Sequence, residues 1–170
     1  MRAALLKAIV ILPGTVLVVV PALIVWFTRD TLFSARLASP LEWYFWIGIA
    51  AAATGLPLMV WTTRDFMRIG EGTPAPWQPP KRLVVHGPYR HVRNPMISGV
   101  LLALLAESVL LRSVPLAVWM LVFVAANAIY IPFIEEPGLE RRFGEDYRRY
   151  KANVPRWVPR FSPWQGPDDA

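Results

Sequence analysis

The chain has 170 residues, 55% of them hydrophobic and only 18% charged, with a mean hydropathy of +0.37. Soluble domains carry about 25% charged residues, and disordered chains are charge-rich and poor in apolar residues, so neither class fits. With no cysteine and only two histidines, disulfides, iron–sulfur clusters, Cys-ligated zinc, thiol nucleophiles and His-rich di-iron sites are excluded, which leaves a net charge of +6 to be placed.

A membrane-spanning helix takes about 20 consecutive, mostly apolar residues. Residues 8–27 (AIVILPGTVLVVVPALIVWF) carry no charge and supply the first such run. Its length exceeds the roughly 7–15 apolar residues of a secretory leader, so it reads as a span behind Arg2 and Lys7. The second run, 43–63, has Trp43, Tyr44 and Trp46 at one end and Trp61 at the other, the arrangement of interfacial aromatic belts. Pro13, Pro21 and Pro57 fall inside these spans, where neighbouring helices can satisfy the freed carbonyls.

The segment 64–95 follows. Within it, Gly70–Pro80 (GEGTPAPWQPP) is rich in helix breakers and reads as an extended connector or a stiff lid. In KRLVVHGPYRHVRNPMISG (Lys81–Gly99), Leu83-Val84-Val85 is a short apolar patch and Gly87-Pro88 forces a turn. Asn94 suits a helix cap and Pro95 a first turn, which gathers Tyr89, Arg90, His91, Arg93 and Asn94 at the positive end of the third apolar run, 96–111. Such a cluster either holds an anion or reaches lipid phosphates.

Glu107 is the one carboxylate inside an apolar run, and its closeness in sequence to Arg112 points to a structural ion pair. Only Arg112 and Ser113 separate this run from the fourth, 113–134, so the two form a tight hairpin. Glu135 and Glu136 then stand together at the end of a span. They are either solvated or partnered, and such carboxylates can hold an ammonium group or ribose hydroxyls. In the tail, 135–170, Leu139, Phe143, Tyr147 and Tyr150 recur at helical spacing. They give an amphipathic helix suited to an anionic lipid surface, with Glu145–Arg149 a favourable i,i+4 pair.

The pattern is that of an all-α integral membrane protein with about four transmembrane helices in a single membrane domain over 1–170. Arg2, Lys7, six basic residues in 64–93 and seven after Ile134 share one face of that topology, leaving Arg29, Arg36 and Arg112 on the other. The positive-inside rule makes the first face cytoplasmic, with both termini on it, and short loops without targeting signals point to a bacterial inner membrane. The expected partners are the lipid bilayer and a small lipophilic molecule, with no nucleic acid. A transporter reading has only Glu107 as a polar pathway residue.

Two blocks, GPYRHVRNPMISG and EEPGLERRFGEDYRRYKANVPRWVPR, resemble the isoprenylcysteine carboxyl methyltransferase family, to which phospholipid N-methyltransferases are related. The matching positions are Gly87, Pro88, Tyr89, Arg90, Arg93, Pro95, Gly99, Glu135, Glu136, Leu139, Phe143, Gly144, Tyr147, Tyr150, Val154, Pro155 and Arg156. The resemblance implies a membrane-embedded enzyme that uses S-adenosyl-L-methionine to methylate a lipophilic acceptor: an isoprenylcysteine-like carboxylate, a thiol or a lipid amine. It also implies cofactor contacts from Tyr89, Arg90, Arg93, Asn94, Pro95, Gly99, Glu135, Glu136, Tyr147 and Tyr150, and a catalytic role for Arg93, Asn94 and Arg156. Two positions depart from the family pattern: Asn94 stands where the family has histidine and Ile97 where it has tyrosine. Asparagine keeps a hydrogen-bond donor but cannot carry charge or shuttle a proton. A catalytically silent scaffold or lipid-binding relative is the alternative that these two residues raise.

Overall fold

The computed structural model describes residues 13–71 and 80–166. The first twelve residues and most of the Gly70–Pro80 connector lie outside the described residues. Within them the chain is helical, with no strand. A π-helical turn, Thr15–Val19, leads into α1, Val20–Thr28, with Pro21 in its first turn. Then come α2, Trp43–Arg68, α3, Pro95–Leu110, and α4, Val114–Tyr130. A second π-helical turn, Ile131–Glu135, carries α4 into α5, Glu136–Phe143, and α6 spans Glu145–Asn153. Pro132 lies in that second turn; a proline lacks the amide hydrogen that a regular helix needs, and π-bulges often mark functional sites.

Among the described residues, two helices are long and apolar enough to cross a membrane: Trp43–Arg68, with 26 residues, and the continuous Val114–Phe143, with 30. At 1.5 Å per residue, the first is about 39 Å long against a hydrocarbon core of about 30 Å. Thr15–Thr28 and Pro95–Leu110 are shorter apolar helices. The third and fourth runs are joined by a turn of three residues, one more than the Arg112-Ser113 gap read from the sequence, in which Arg112 takes a left-handed φ of 45°.

The chain divides into two compact units. One holds the residues up to Pro57 together with Gly99–Ala126, and the other holds Leu58–Ser98 with Asn127 onward. In the first unit the outer faces are apolar: Trp26, Trp43, Trp46 and Leu121 are exposed. Its helices approach closely at Gly55, where an added Cβ would sit 2.8 Å from the Gly99 carbonyl and 2.7 Å from Leu102 Cβ.

Glu107 does not pair with Arg112. The left-handed turn at Arg112 carries its guanidinium to Glu42, 3.2 Å away, and over the Tyr44 ring. Among the described residues, Oε2 of Glu107 is buried without a hydrogen-bond partner, beside an apolar groove of about 540 Å³ lined by Leu17, Pro21, Val25 and Trp26.

The tail of the second unit is not one amphipathic helix. Gly144, at φ 56° and ψ −125°, breaks it into α5 and α6, a conformation that favours glycine. Tyr147 and Tyr150 therefore do not face lipid. They are buried with Val154 in a small core, packed against Leu83, Val85, Leu139, Phe143 and Trp164. The expected Glu145–Arg149 pair forms on the exposed side at 3.7 Å.

Candidate active site

The second unit is built by stapling the two sequence blocks together. Gly87, at φ 52°, starts a 3₁₀ turn, Gly87–Arg90, that buries Tyr89. A side chain at Gly87 would strike the Trp61 ring at 2.9 Å, so the position requires glycine for space as well as for backbone angle. Tyr150 Oη donates to the Tyr89 carbonyl at 2.7 Å. The segment after α6 then folds back along residues 90–94. Arg93 N donates to Pro155 O, Arg160 N to His91 O and Trp164 N to Arg90 O, all within 2.9–3.0 Å. Arg90 Nε returns a bond to Trp164 O at 2.7 Å, and His91 Nδ1 donates to Arg160 O at 2.8 Å.

Asn94 occupies the cap position ahead of α3, and Pro95 opens that helix, fully buried. The amide of Asn94 is directed to the tail, where Nδ2 donates to Arg156 O at 3.4 Å. The helix-cap position and the tail staple thus meet at one residue.

The two adjacent carboxylates have opposite environments. Glu136 is 2% exposed and accepts two bonds from Arg156, from Nε at 2.7 Å and Nη2 at 3.0 Å. Arg93 Nη1 lies 3.1 Å from the same carboxylate and Lys151 Nζ 3.4 Å. Charge-assisted, bidentate contacts of this kind are the strong class of hydrogen bond. Glu135, half-buried one residue earlier, makes no hydrogen bond or ion pair among the described residues.

The cluster around Glu136 therefore places three cations around one anion, with Lys151 shared with Glu140 at 3.8 Å. Arg93 also bonds the Tyr147 hydroxyl, yet its Nε and Nη1 are buried without a hydrogen bond of good geometry. Buried donors left unsatisfied are costly and rare.

Tyr89, Tyr147 and Tyr150 are buried and neutral. Burial pushes the Tyr147 hydroxyl up to about 12, and nearby Glu136 pushes the same way. Burial likewise raises Tyr150 and Tyr89; for Tyr89, Glu135 and then Asp65 add to it. The hydrogen bond to Glu136 raises Arg156 further above its already high value. Near neutrality the site thus holds protonated phenols and fixed ions.

Of the residues singled out from sequence, Tyr89, Arg90, Arg93, Asn94, Pro95, Glu135, Glu136, Tyr147, Tyr150 and Arg156 all fall in this unit. Gly99 falls in the other, against Gly55. Sequence reasoning missed Lys151, Trp164 and Asp65. Asp65 is 8% exposed near the end of α2 and pairs with His86 at 3.2 Å. A lone carboxylate closing a long apolar run is the signal that marks it.

Residues 43–146 match the model of a family described as phospholipid methyltransferase. No curated protein and no solved structure matches the chain.

Proposed function

Because the chain belongs to the phospholipid methyltransferase family, we propose that it is a membrane methyltransferase that takes its methyl group from S-adenosyl-L-methionine and passes it to a lipophilic acceptor. The family implies methyl transfer, and the two long apolar helices agree with a membrane setting. In this reading four spans, at about 8–27, 43–63, 96–111 and 113–134, put the site and both termini on the cytoplasmic face. The basic bias of residues 64–93 and of the tail supports that placement.

The observation that carries the cofactor assignment is the split between neighbouring carboxylates. Glu136 is engaged with Arg156, Arg93 and Lys151, whereas Glu135 has no partner among the described residues and Arg93 Nε is buried without a hydrogen bond. An amino-acid-bearing sulfonium nucleoside has the complementary groups: a carboxylate for Arg93, and an ammonium or ribose hydroxyls for Glu135. Bound there, it supplies an activated methyl group, so no nucleophilic side chain is required of the protein. What the protein contributes is alignment and exclusion of water. Tyr89, Tyr147 and Tyr150 form the neutral wall for that purpose. The tail segment from Arg156 to Trp164 closes over residues 90–94.

Calorimetric titration of the detergent-purified chain with S-adenosylhomocysteine tests this reading. Saturable binding is the expected result. Absence of binding by a folded chain would move the assignment to a silent scaffold. That second reading has one observation in its favour: Asn94, which cannot relay a proton, spends its donor on Arg156 O. Turnover of a labelled methyl donor separates the two.

A further inference from the structure

We propose that the segment from Arg156 to Trp164 is a clasp seated in the surface of the bilayer, a role that does not depend on which ligand the site takes. Its outer edge, Val158 and Phe161, enters the lipid interface and so holds its inner edge shut over residues 90–94.

The two edges have opposite character. On the inner edge, Arg156 Nε donates to the buried Glu136 carboxylate at 2.7 Å, and Arg156 O accepts from Asn94 Nδ2 at 3.4 Å. Arg160 N donates to His91 O and Trp164 N to Arg90 O. The carbonyls of Arg160 and Trp164 accept in return from His91 Nδ1 and Arg90 Nε. Pro155, Pro159 and Pro163 have no amide hydrogen, which keeps the stretch out of a helix. On the outer edge Val158 is 76% exposed and Phe161 is entirely exposed. Among the described residues after Ile134, these two are the only large hydrophobics left exposed. The exposed face of α6 is charged instead, with Glu145, Asp146, Arg148, Arg149 and Lys151.

The position of the clasp identifies what covers that edge. Val114–Phe143 is one of the two helices fit to cross a membrane, and its Ile129, Phe133 and Ile134 are exposed. Ile134 stands two residues before Glu136, which Arg156 grips. Val158 follows Arg156 by two residues, a reach of about 7 Å at most. On the other side, Arg160 is bonded to His91, four residues ahead of Pro95, where the apolar α3 begins. The clasp therefore runs between the end of one apolar helix and the start of another, where the apolar surface gives way to charge. Exposed apolar side chains at that level, on a segment carrying Arg156 and Arg160, belong at the boundary between head groups and acyl chains. Phe161 lies between the two anchors, so lifting Arg160 and Trp164 off His91 and Arg90 withdraws it from lipid. The cost scales with the apolar area returned to water. Seating the outer edge and closing the inner one are thus a single event, and the membrane biases the candidate site toward its closed form.

The chain has no cysteine, so Val158→Cys, Phe161→Cys and Ala152→Cys each accept a single nitroxide label. The full chain is placed in vesicles of phosphatidylcholine and phosphatidylglycerol. At 158 and 161 the label should meet oxygen, which concentrates in the bilayer, more readily than a water-soluble nickel complex. At 152, on the exposed side of α6, the order should reverse. Hydrogen exchange in the same vesicles reads the closure. The amides of Arg160 and Trp164 should exchange about tenfold faster in the double variant Val158→Asp, Phe161→Asp, and within about twofold of wild type in Val158→Leu, Phe161→Leu. Nickel access at 158 and 161 equal to that at 152 would leave the edge in water and overturn the proposal. A label shielded from both reagents would put protein or a second copy there and overturn it too. Unchanged exchange in the aspartate variant would do the same. Neither readout uses S-adenosylhomocysteine, so failure of the methyltransferase reading would show separately, as a chain that binds no cofactor while its clasp behaves as described.

Discussion

The two units handle buried charge in opposite ways. In the unit built on α1, the first half of α2 and the α3–α4 turn, ion pairs lie at exposed ends, as with Arg112 and Glu42. The carboxylate among its apolar walls, Glu107, has an oxygen with no partner. In the other unit a carboxylate buried to 2% exposure is gripped by two arginines and a lysine. Desolvating an ion costs several kcal/mol, which only excellent geometry repays. The density of pairing around Glu136 therefore marks the part of the chain whose shape depends on charge. The first unit depends on apolar packing and close helix approach instead.

The largest expected effect breaks this contrast at its strongest point. Glu136→Ala strands Arg93, whose side chain is 10% exposed, without its counter-ion. Removing one partner of a buried pair costs about 3–5 kcal/mol. Denaturant melts in detergent should show a loss of that order, and Glu136→Gln should do nearly as badly because the charge itself is required. A variant that melts like wild type would remove the basis for calling the two units different. Glu135→Gln sharpens the contrast from the other side. Glu135 has no partner to lose among the described residues, so the melt should stay where it is while S-adenosylhomocysteine binds at least about tenfold more weakly, roughly 1.4 kcal/mol. Equal binding would show that the Glu135 carboxylate is not the ligand contact.

The sequence carried the parts of this architecture that depend on periodicity and composition. The apolar runs, the two-residue gap at Arg112-Ser113 and the Gly87-Pro88 turn are all visible in the string of residues, and the structure places helices and turns there. The Glu135-Glu136 pair was visible as a pair needing partners, but not as one engaged and one open residue. That difference depends on side chains about 15–45 residues away, Lys151, Arg156 and Arg93, which only folding brings together. The tail was misread for a related reason. Leu139, Phe143, Tyr147 and Tyr150 do form an apolar set, but Gly144 breaks the helix that would have laid them on lipid. The patch Leu83-Val85 covers Tyr147 and Tyr150 instead. The return of Trp164 to Arg90 leaves no periodic signal, because it is made by backbone bonds along an irregular segment.

A smaller effect concerns the neutral wall. Tyr147 is raised from 10.0 to about 12, chiefly by burial. A folded-state value above the unfolded one means that the folded chain keeps a proton that the unfolded chain gives up. The stability is therefore fully present below pH 10 and is lost as pH rises from 10 through about 12. Each such group contributes at most about 1.4 kcal/mol per pH unit within that window. Melts from pH 8 to 11 should be flat up to 10 and then fall, and Tyr147→Phe should fall less steeply. A slope unchanged by the substitution would mean that Tyr147 is not held in a protonated, water-poor wall.

The smallest expected effect returns to the first unit. Glu107→Gln removes a charge from a carboxylate whose side chain has no ion-pair or hydrogen-bond partner among the described residues. Nothing is orphaned by the change. A neutral amide of nearly the same shape also relieves the cost of a charge beside Leu17, Pro21 and Val25. The melt should therefore move by no more than about 0.5 kcal/mol, the range of substitutions that break no named interaction, or rise slightly. A loss of 2 kcal/mol or more, comparable with a broken buried pair, would show that Glu107 is held by a partner after all. The contrast would then no longer be between paired and unpaired carboxylates but between two different kinds of partner. A near-zero effect alongside a collapsed Glu136→Ala would confine the charge-dependent part of the fold to the unit that carries the candidate active site.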